Sequence, residues 1–368
     1  MWATVAILLA VAGAAVRPPP PAAALVGVRY PTTMRPLRAV DFVDATVGWA
    51  VGANEVIIRS VTAGALWTRQ LSVTSTYPVF TSVCFVDKLD GWAVGTGPIV
   101  HTADGGRVWR SQAKPTVQPL LAVKFVDADH GWAVGGRADN RPEATHQPTY
   151  VLLHTDDGGA TWAKVMEGRG RVYFDVDFID RDNGWIVGQV RRQIDALHGR
   201  TLACVLRTSD GGHTWSEPLS GVSGLAGGSV SALRAVDFRT ADQGWAVGSV
   251  GEGSARRGVL LRTADGGQTW ARAVSQKFGV FTDVSFPSAT VGYAVGLPVA
   301  GSSTTRWIVK TANGGATWAG QQLPVPITGV PAVDFVSTTR GWIVADTVLH
   351  RGVVLRTVNG GASWVRVR

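Results

Sequence analysis

Few side chains in this sequence could carry out covalent chemistry. Outside its repeat-locked positions the candidate acids are Glu143, Glu167, Asp195, Glu217 and Glu252. Glycoside hydrolysis needs two carboxyl groups facing one another across a sugar, or a nucleophile beside arginines that grip an acidic substrate. No spacing in the sequence pairs any of these acids. A Gly-x-Ser-x-Gly turn, which would expose a nucleophilic serine, is absent, and so is His-x-x-x-His or a comparable metal spacing. Cys84 and Cys204 fall in different repeats, which argues against a disulfide and a zinc site and leaves both as buried free thiols. No catalytic residue, metal or cofactor is expected.

The arginines suggest recognition instead. Formal net charge is +8, and lysine is scarce beside arginine. Arg137 and Arg141 lie in the insertion Gly136 to Thr149, and Arg191, Arg192, His198 and Arg200 lie in the insertion Gln189 to Leu202. Arg169 and Arg171 sit on the connection between these two, and Arg256 and Arg257 in a third loop. A guanidinium offers a planar fork that matches carboxylate or phosphate, so an acidic protein segment or an anionic membrane surface fits such a patch. Its bland counterpart is a set of solvated loop charges in an arginine-rich chain. Nothing interleaves surface aromatics with the basic residues, so nucleic acid is not an expected partner.

What must position these groups is a unit repeated seven times. A Gly-Trp-Ala-Val-Gly segment begins at Gly48, Gly91, Gly131, Gly184, Gly244, Gly292 and Gly341, the fourth reading Gly-Trp-Ile-Val-Gly, the sixth Gly-Tyr-Ala-Val-Gly and the seventh Gly-Trp-Ile-Val-Ala. A Thr-x-Asp-Gly-Gly-x-x-Trp box follows, ending at Trp67, Trp109, Trp162, Trp215, Trp270, Trp318 and Trp364. Successive box tryptophans are 42 to 55 residues apart, the period of a four-stranded propeller blade. The fold expected is all-β, a seven-bladed β-propeller of four-stranded blades.

Within a unit, an inner strand such as Arg38 to Val43 precedes Gly48 to Gly52, where Trp49 and Val51 face one side and Ala50 the other. The bulky face of one sheet can then settle on the small face of its neighbour. An apolar third strand such as Val151 to Thr155 leads into the box, a hairpin in which Gly-Gly supplies positive φ and the carboxylate accepts turn N–H groups. Asp104, Asp157, Asp210 and Asp265 occupy the acid position, Asn313 and Asn359 replace it, and Thr62 stands there in the first copy. Asn also accepts such bonds, so a structural role is expected for all of them. Eight residues before each box Trp stands Arg59, His101, His154, Arg207, Arg262, Lys310 or Arg356, expected to stack on Trp or pair with carboxylates. The insertions carrying the arginines lie on the rim opposite the boxes, where long loops on a rigid scaffold serve recognition.

With 368 residues, 45 Gly and 15 Trp, the chain has material for one large core. Trp2 to Val16 is apolar and uncharged, short of the ~20 residues that span a bilayer, and is followed by Arg17 and Pro18 to Pro21. Residues 1–24 read as a signal peptide or signal anchor, 25–35 as a linker and 36–368 as the propeller. An exported protein follows, periplasmic, extracellular or thylakoid-lumenal, and monomeric. The last repeat owns all four strands through Ser363 to Arg368, so no N-terminal closing strand is required, although Leu25 to Tyr30 could cover an edge.

Val40-Asp-Phe42, Gly48-Trp-Ala-Val-Gly52 and Leu206-Arg-Thr-Ser-Asp-Gly-Gly-His-Thr-Trp215 resemble the photosystem II stability/assembly factor family of seven-bladed propellers. The resemblance runs from about Pro36 to Arg368. It implies a non-enzymatic lumenal or periplasmic scaffold that binds the newly made D1 reaction-centre subunit through an arginine-rich face, with which Arg191, Arg192 and Arg200 are compatible. Two features depart from the family: its cyanobacterial members resemble lipoproteins with an N-terminal cysteine, whereas the first cysteine here is Cys84, and no twin-arginine element precedes Arg29. Two alternatives remain. One is an exported glycan-binding or sialidase-like propeller, although the Phe-Arg-Ile-Pro signature is absent. The other is a generic envelope interaction module.

Overall fold

Seven inner strands, each ending near a Phe or its equivalent, pair antiparallel with the glycine-initiated segments that follow them. The computed structural model describes residues 35–70, 78–138, 147–193, 199–220, 230–251, 256–274, 279–297, 308–347 and 351–367. Strands fall into seven sheets, each of four sequential antiparallel strands, making seven propeller blades. Blade one is Leu37–Phe42, Gly48–Gly52, Ile57–Ser60 and Thr68–Arg69, and blade seven ends with Gly352–Thr357 and Val365–Arg366. Leu25 to Tyr30 and the proposed signal segment lie outside the described residues.

The repeat motif explains how blades pack. Gly131 opposes Phe125 in register, and a Cβ at Gly131 would come within 2.3 Å of the Phe125 ring. Only glycine lets that ring lie flat on the strand. Its other face receives the preceding blade's Trp92, stacked at 3.5 Å between centroids, while the box tryptophan Trp162 meets its edge at 5.8 Å. Trp49–Phe85, Trp132–Phe178 and Trp185–Phe238 repeat the stack. Such pairs add ~0.5–1.5 kcal/mol each beyond the apolar area they bury.

Polar bonds lock the same interfaces. Trp92, Trp132 and Trp185 donate their indole N–H to Gly158, Gly211 and Gly266 in the next blade's box. Blade six has Tyr293 instead; its hydroxyl reaches Thr338 O, and Lys310 Nζ takes the box carbonyl of Gly360 at 2.8 Å. The repeat-locked cations stand directly across from these aromatics and cover them: Arg59 on Trp49, His101 on Trp92, His154 on Trp132, Arg207 on Trp185.

The central channel is laced by one inner-strand position per blade. Asp41, Asp177, Asp237 and Asp334 accept the backbone N–H of Phe85, Phe238, Phe286 and Phe42 in the following blade. Cys84 Sγ and Ser285 Oγ serve Phe125 and Phe335 the same way. Lys124 occupies this position in blade three and pairs with Asp177 at 2.9 Å. Cys84, expected to be buried, is therefore only half-buried on the channel wall, whereas Cys204 is buried; both are free.

The ring closes by the same contacts. Phe42 stacks on Trp342 at 3.4 Å, Trp342 Nε1 donates to Ala63 O at 3.0 Å, and Arg38 pairs with Asp346 at 2.7 Å.

Two expectations need correction. The Gln189 to Leu202 insertion is not an irregular loop: Gly184–Gln193 and Gly199–Thr208 continue pairing through Arg192 opposite Arg200 and Gln193 opposite Gly199. Backbone bonds extend the hairpin irrespective of side-chain polarity, and Val190 and Leu202 pack on the core with Tyr173. Nor does Arg257 lie in a loop, since it begins the strand Arg257–Thr263. Arg169 and Arg171 flank the connection between blades three and four. They end the strand Ala163–Arg169 and begin Arg171–Phe178, separated only by Gly170 at φ +91°.

Candidate functional site

The box hairpins face one rim. In blade four, Thr208 Oγ1 donates to Asp210 Oδ1 and accepts Gly212 N–H, and Asp210 also accepts Thr214 N–H and Oγ1–H. Asp104, Asp157 and Asp265 accept the equivalent N–H of Val108, Thr161 and Thr269. Asn313 and Asn359 accept from Thr317 and Ser363, and Thr62 Oγ1 from Leu66. Gly211 and Gly212 adopt φ of 72° and 92°, which a side chain would strain. These bonds use up the carboxylates in turn geometry.

The opposite rim carries the arginines. Arg137, Arg169 and Arg256 are exposed. Arg171 is half-buried and held by Glu217 at 2.7 Å. Arg191 N donates to Gly170 O, which joins two neighbouring segments, and Arg257 Nη1 donates to the adjacent Arg256 O. Arg192 and Arg200 are cross-strand partners on the extended hairpin. Arg141, Glu143, Asp195, His198 and Glu252 lie outside the described residues. Glu167 is taken up by Lys164 Nζ and Thr116 Oγ1, and Glu217 by Arg171. Among the described residues no group of three or more His, Cys, Asp or Glu is placed to hold a metal ion.

Sequence reasoning missed a second set. The inner strands slip register near their starts, at Leu37/Ala39, Phe80/Ser82, Tyr173/Asp175 and Phe281/Asp283, and in blade five at both Val230/Ala232 and Leu233/Ala235. A bulge leaves one residue without a ladder partner and re-aims its side chain. The skipped residues include Arg38, Thr81, Phe174, Arg234 and Thr282, and all line one cavity of about 590 Å³ at the mouth of the channel. Arg256 reaches the same cavity, and Asp175 and Asp283 line it one position further along. Arg234 lies 3.9 Å over the Phe174 ring. A single extra residue in segments such as Leu37 to Phe42 leaves no trace in hydrophobic alternation, so this ring gives no clear sequence signal.

Burial dominates the channel's electrostatics. It raises Asp41 to about 6 and both Asp237 and Asp283 to about 7, against the N–H bonds that each carboxylate accepts. Asp175 and Asp334 are likewise raised well above the usual range, with neighbouring carboxylates adding to the effect. Arg234 is pushed down to about 10 by burial and then by the charge of Arg256.

Comparison with known proteins bears on this architecture. The model of the family described as photosynthesis system II assembly factor YCF48 matches residues 27–115 and 169–279, more than half of the chain. The chain belongs to the YCF48 family. A YCF48 relative, the photosystem II assembly lipoprotein Ycf48 of Synechococcus sp. (strain CC9902), is 23% identical over 184 residues, 48% of this chain and 43% of that protein. The match thus spans under half of that relative. A solved YCF48 bound to D1 peptide aligns over 90% of this chain and 96% of its own, at 18% identity and a TM-score of 0.62. YCF48 from Cyanidioschyzon merolae aligns over 88% and 96%, at 17% identity and a TM-score of 0.60. At these identities the structural likeness establishes the propeller fold that this YCF48-family chain shares with them.

Proposed function

We propose that this YCF48-family chain is a non-enzymatic assembly scaffold that binds a protein segment through its basic rim. The residues assigned to contact are Arg137, Arg141, Arg169, Arg191, Arg192, Arg200, Arg256 and Arg257; Arg171 joins them by exchanging Glu217 for a partner carboxylate. In a phototrophic host the partner is a photosystem II reaction-centre subunit, D1. The observation that supports the reading is the family match, over a propeller in which Arg137, Arg169 and Arg256 are exposed. A solved member of the family holds a D1 peptide, which supports the same class of partner here. An acidic segment suits the rim because guanidinium forks pair with carboxylates, and steering by +8 net charge speeds encounter.

The protein acts outside the cytoplasm in this reading, led there by residues 1–24 and held near the membrane, as the lipoprotein relative's name implies for that protein. An anionic lipid surface would then assist the same arginines. Catalysis is not assigned, since Glu167 and Glu217 are each held by a cation and the box acids by their turns. Affinity capture of the tagged chain from its native host in mild detergent, with mass spectrometry, tests the proposal. Recovery of D1 or its precursor is the expected result. Recovery of envelope proteins or glycans without a reaction-centre subunit would overturn the photosynthetic assignment.

A further inference from the structure

The mouth of the central channel holds positive charge that the fold leaves unmatched. Arg38 is neutralised by Asp346 at 2.7 Å. The charge of Arg256 lies close enough to Arg234 to disfavour its charged form, and among the described residues no ion pair joins either to a carboxylate. The Phe174 ring covers one face of the Arg234 guanidinium, leaving its N–H edge available. Burying a cation this way is costly unless an anion accompanies it.

We propose that this cavity is a carboxylate-binding site in which Arg234 and Arg256 hold the anion above Asp175 and Asp283. The inference goes beyond the basic rim, because its central residue, Arg234, is a bulge residue inside the channel and not one of the insertion arginines. About 590 Å³ is ample for a carboxylate with a short carbon body, and Leu121, Ala122, Val280 and Pro331 give that body an apolar wall. Burial raises both floor carboxyls, Asp175 and Asp283, the latter to about 7, which lessens their repulsion of the anion below neutral pH. Deeper in the channel, Asp177 is neutralised by Lys124. Asp41, Asp237 and Asp334 are raised by the same burial, and the Cys84 thiol is pushed up to about 12 and stays neutral. An anion seated beside Asp283 raises its pKa further, so binding takes up protons and weakens as pH rises through 7. A free small acid and a carboxylate carried by a peptide share this chemistry.

Calorimetric titration of the full chain with succinate, with a short apolar peptide ending in a free carboxylate, and with the same peptide amidated tests the site. One equivalent of a carboxylate ligand should bind, with the amide at least tenfold weaker and affinity falling from pH 6 to pH 8. Arg234→Gln should cost at least tenfold, and Arg234→Lys, which keeps the charge but not the fork, less. Thermal unfolding of each variant checks that the propeller persists. Binding of succinate alone supports the site with a free acid as its ligand, and binding of the peptide alone supports it with a chain-borne carboxylate. Absence of both, equal binding of the amide, or full binding by Arg234→Gln with its fold intact overturns it. An acidic protein segment that loses binding on reversal of Arg191, Arg192 and Arg200 but not on Arg234→Gln would sink the channel site and leave the rim reading standing.

Discussion

Asp237 shows how one residue can both bind and strain this fold. Its carboxylate accepts Phe286 N–H at 2.6 Å across a blade interface, yet burial raises its pKa to about 7. A carboxyl group raised above its unfolded value binds more protons in the folded state. The stability it contributes is therefore complete below about pH 4 and lost as pH rises through 7. Asp41 and Asp283 act in the same window. Asp44, Asp127 and Asp210 have lowered values and act in the opposite sense, losing stability only in stronger acid. Asp237→Asn keeps an acceptor for Phe286 and removes the charge, so it should gain about 1–3 kcal/mol at pH 8 and little at pH 5. Urea unfolding at the two pH values measures this, and equal effects at both would refute it. The Val-Asp-Phe signature was legible in the sequence, but the aspartate's bond to the next blade was not, because its partner lies about one repeat away.

Blades were legible as elements because Gly-Trp-Ala-Val-Gly and the Asp box mark their second strand and last hairpin. What escaped were features of backbone pairing: the bulges that aim Arg38 and Arg234 into the channel, and the hairpin extension through Arg192 and Arg200. Blade six offers a test of the interface logic. Tyr293 has no indole to reach Gly360, and Lys310 supplies that bond instead, whereas in blade five Trp245 donates to Gly314 itself and Arg262 is exposed. Lys310→Met should cost about 1–2 kcal/mol, the scale of a lost charge-assisted bond to a buried carbonyl. Arg262→Met should cost under about 0.5 kcal/mol, as an exposed substitution. Chemical denaturation of the two variants compares them, and equal costs would remove the compensating role of Lys310.

Over the whole molecule, seven interfaces of one kind close on themselves, with Phe42, Trp342 and Asp334 joining first and last blades as the others are joined. That rigid ring gives the chain two unlike rims, one spent on structural turns and one carrying arginines. Repeat lengths made the insertions legible; the placement of the channel arginines required the bulges. The central claim, recognition of a protein segment by the basic rim, is tested most directly by titrating a labelled D1 segment into the full chain and into the triple variant Arg191→Glu, Arg192→Glu, Arg200→Glu. Saturable binding to the native chain, weakened at least tenfold in the triple variant with its melting temperature unchanged, is the expected result. Undiminished binding by the folded triple variant, or no binding by the native chain, would contradict the account.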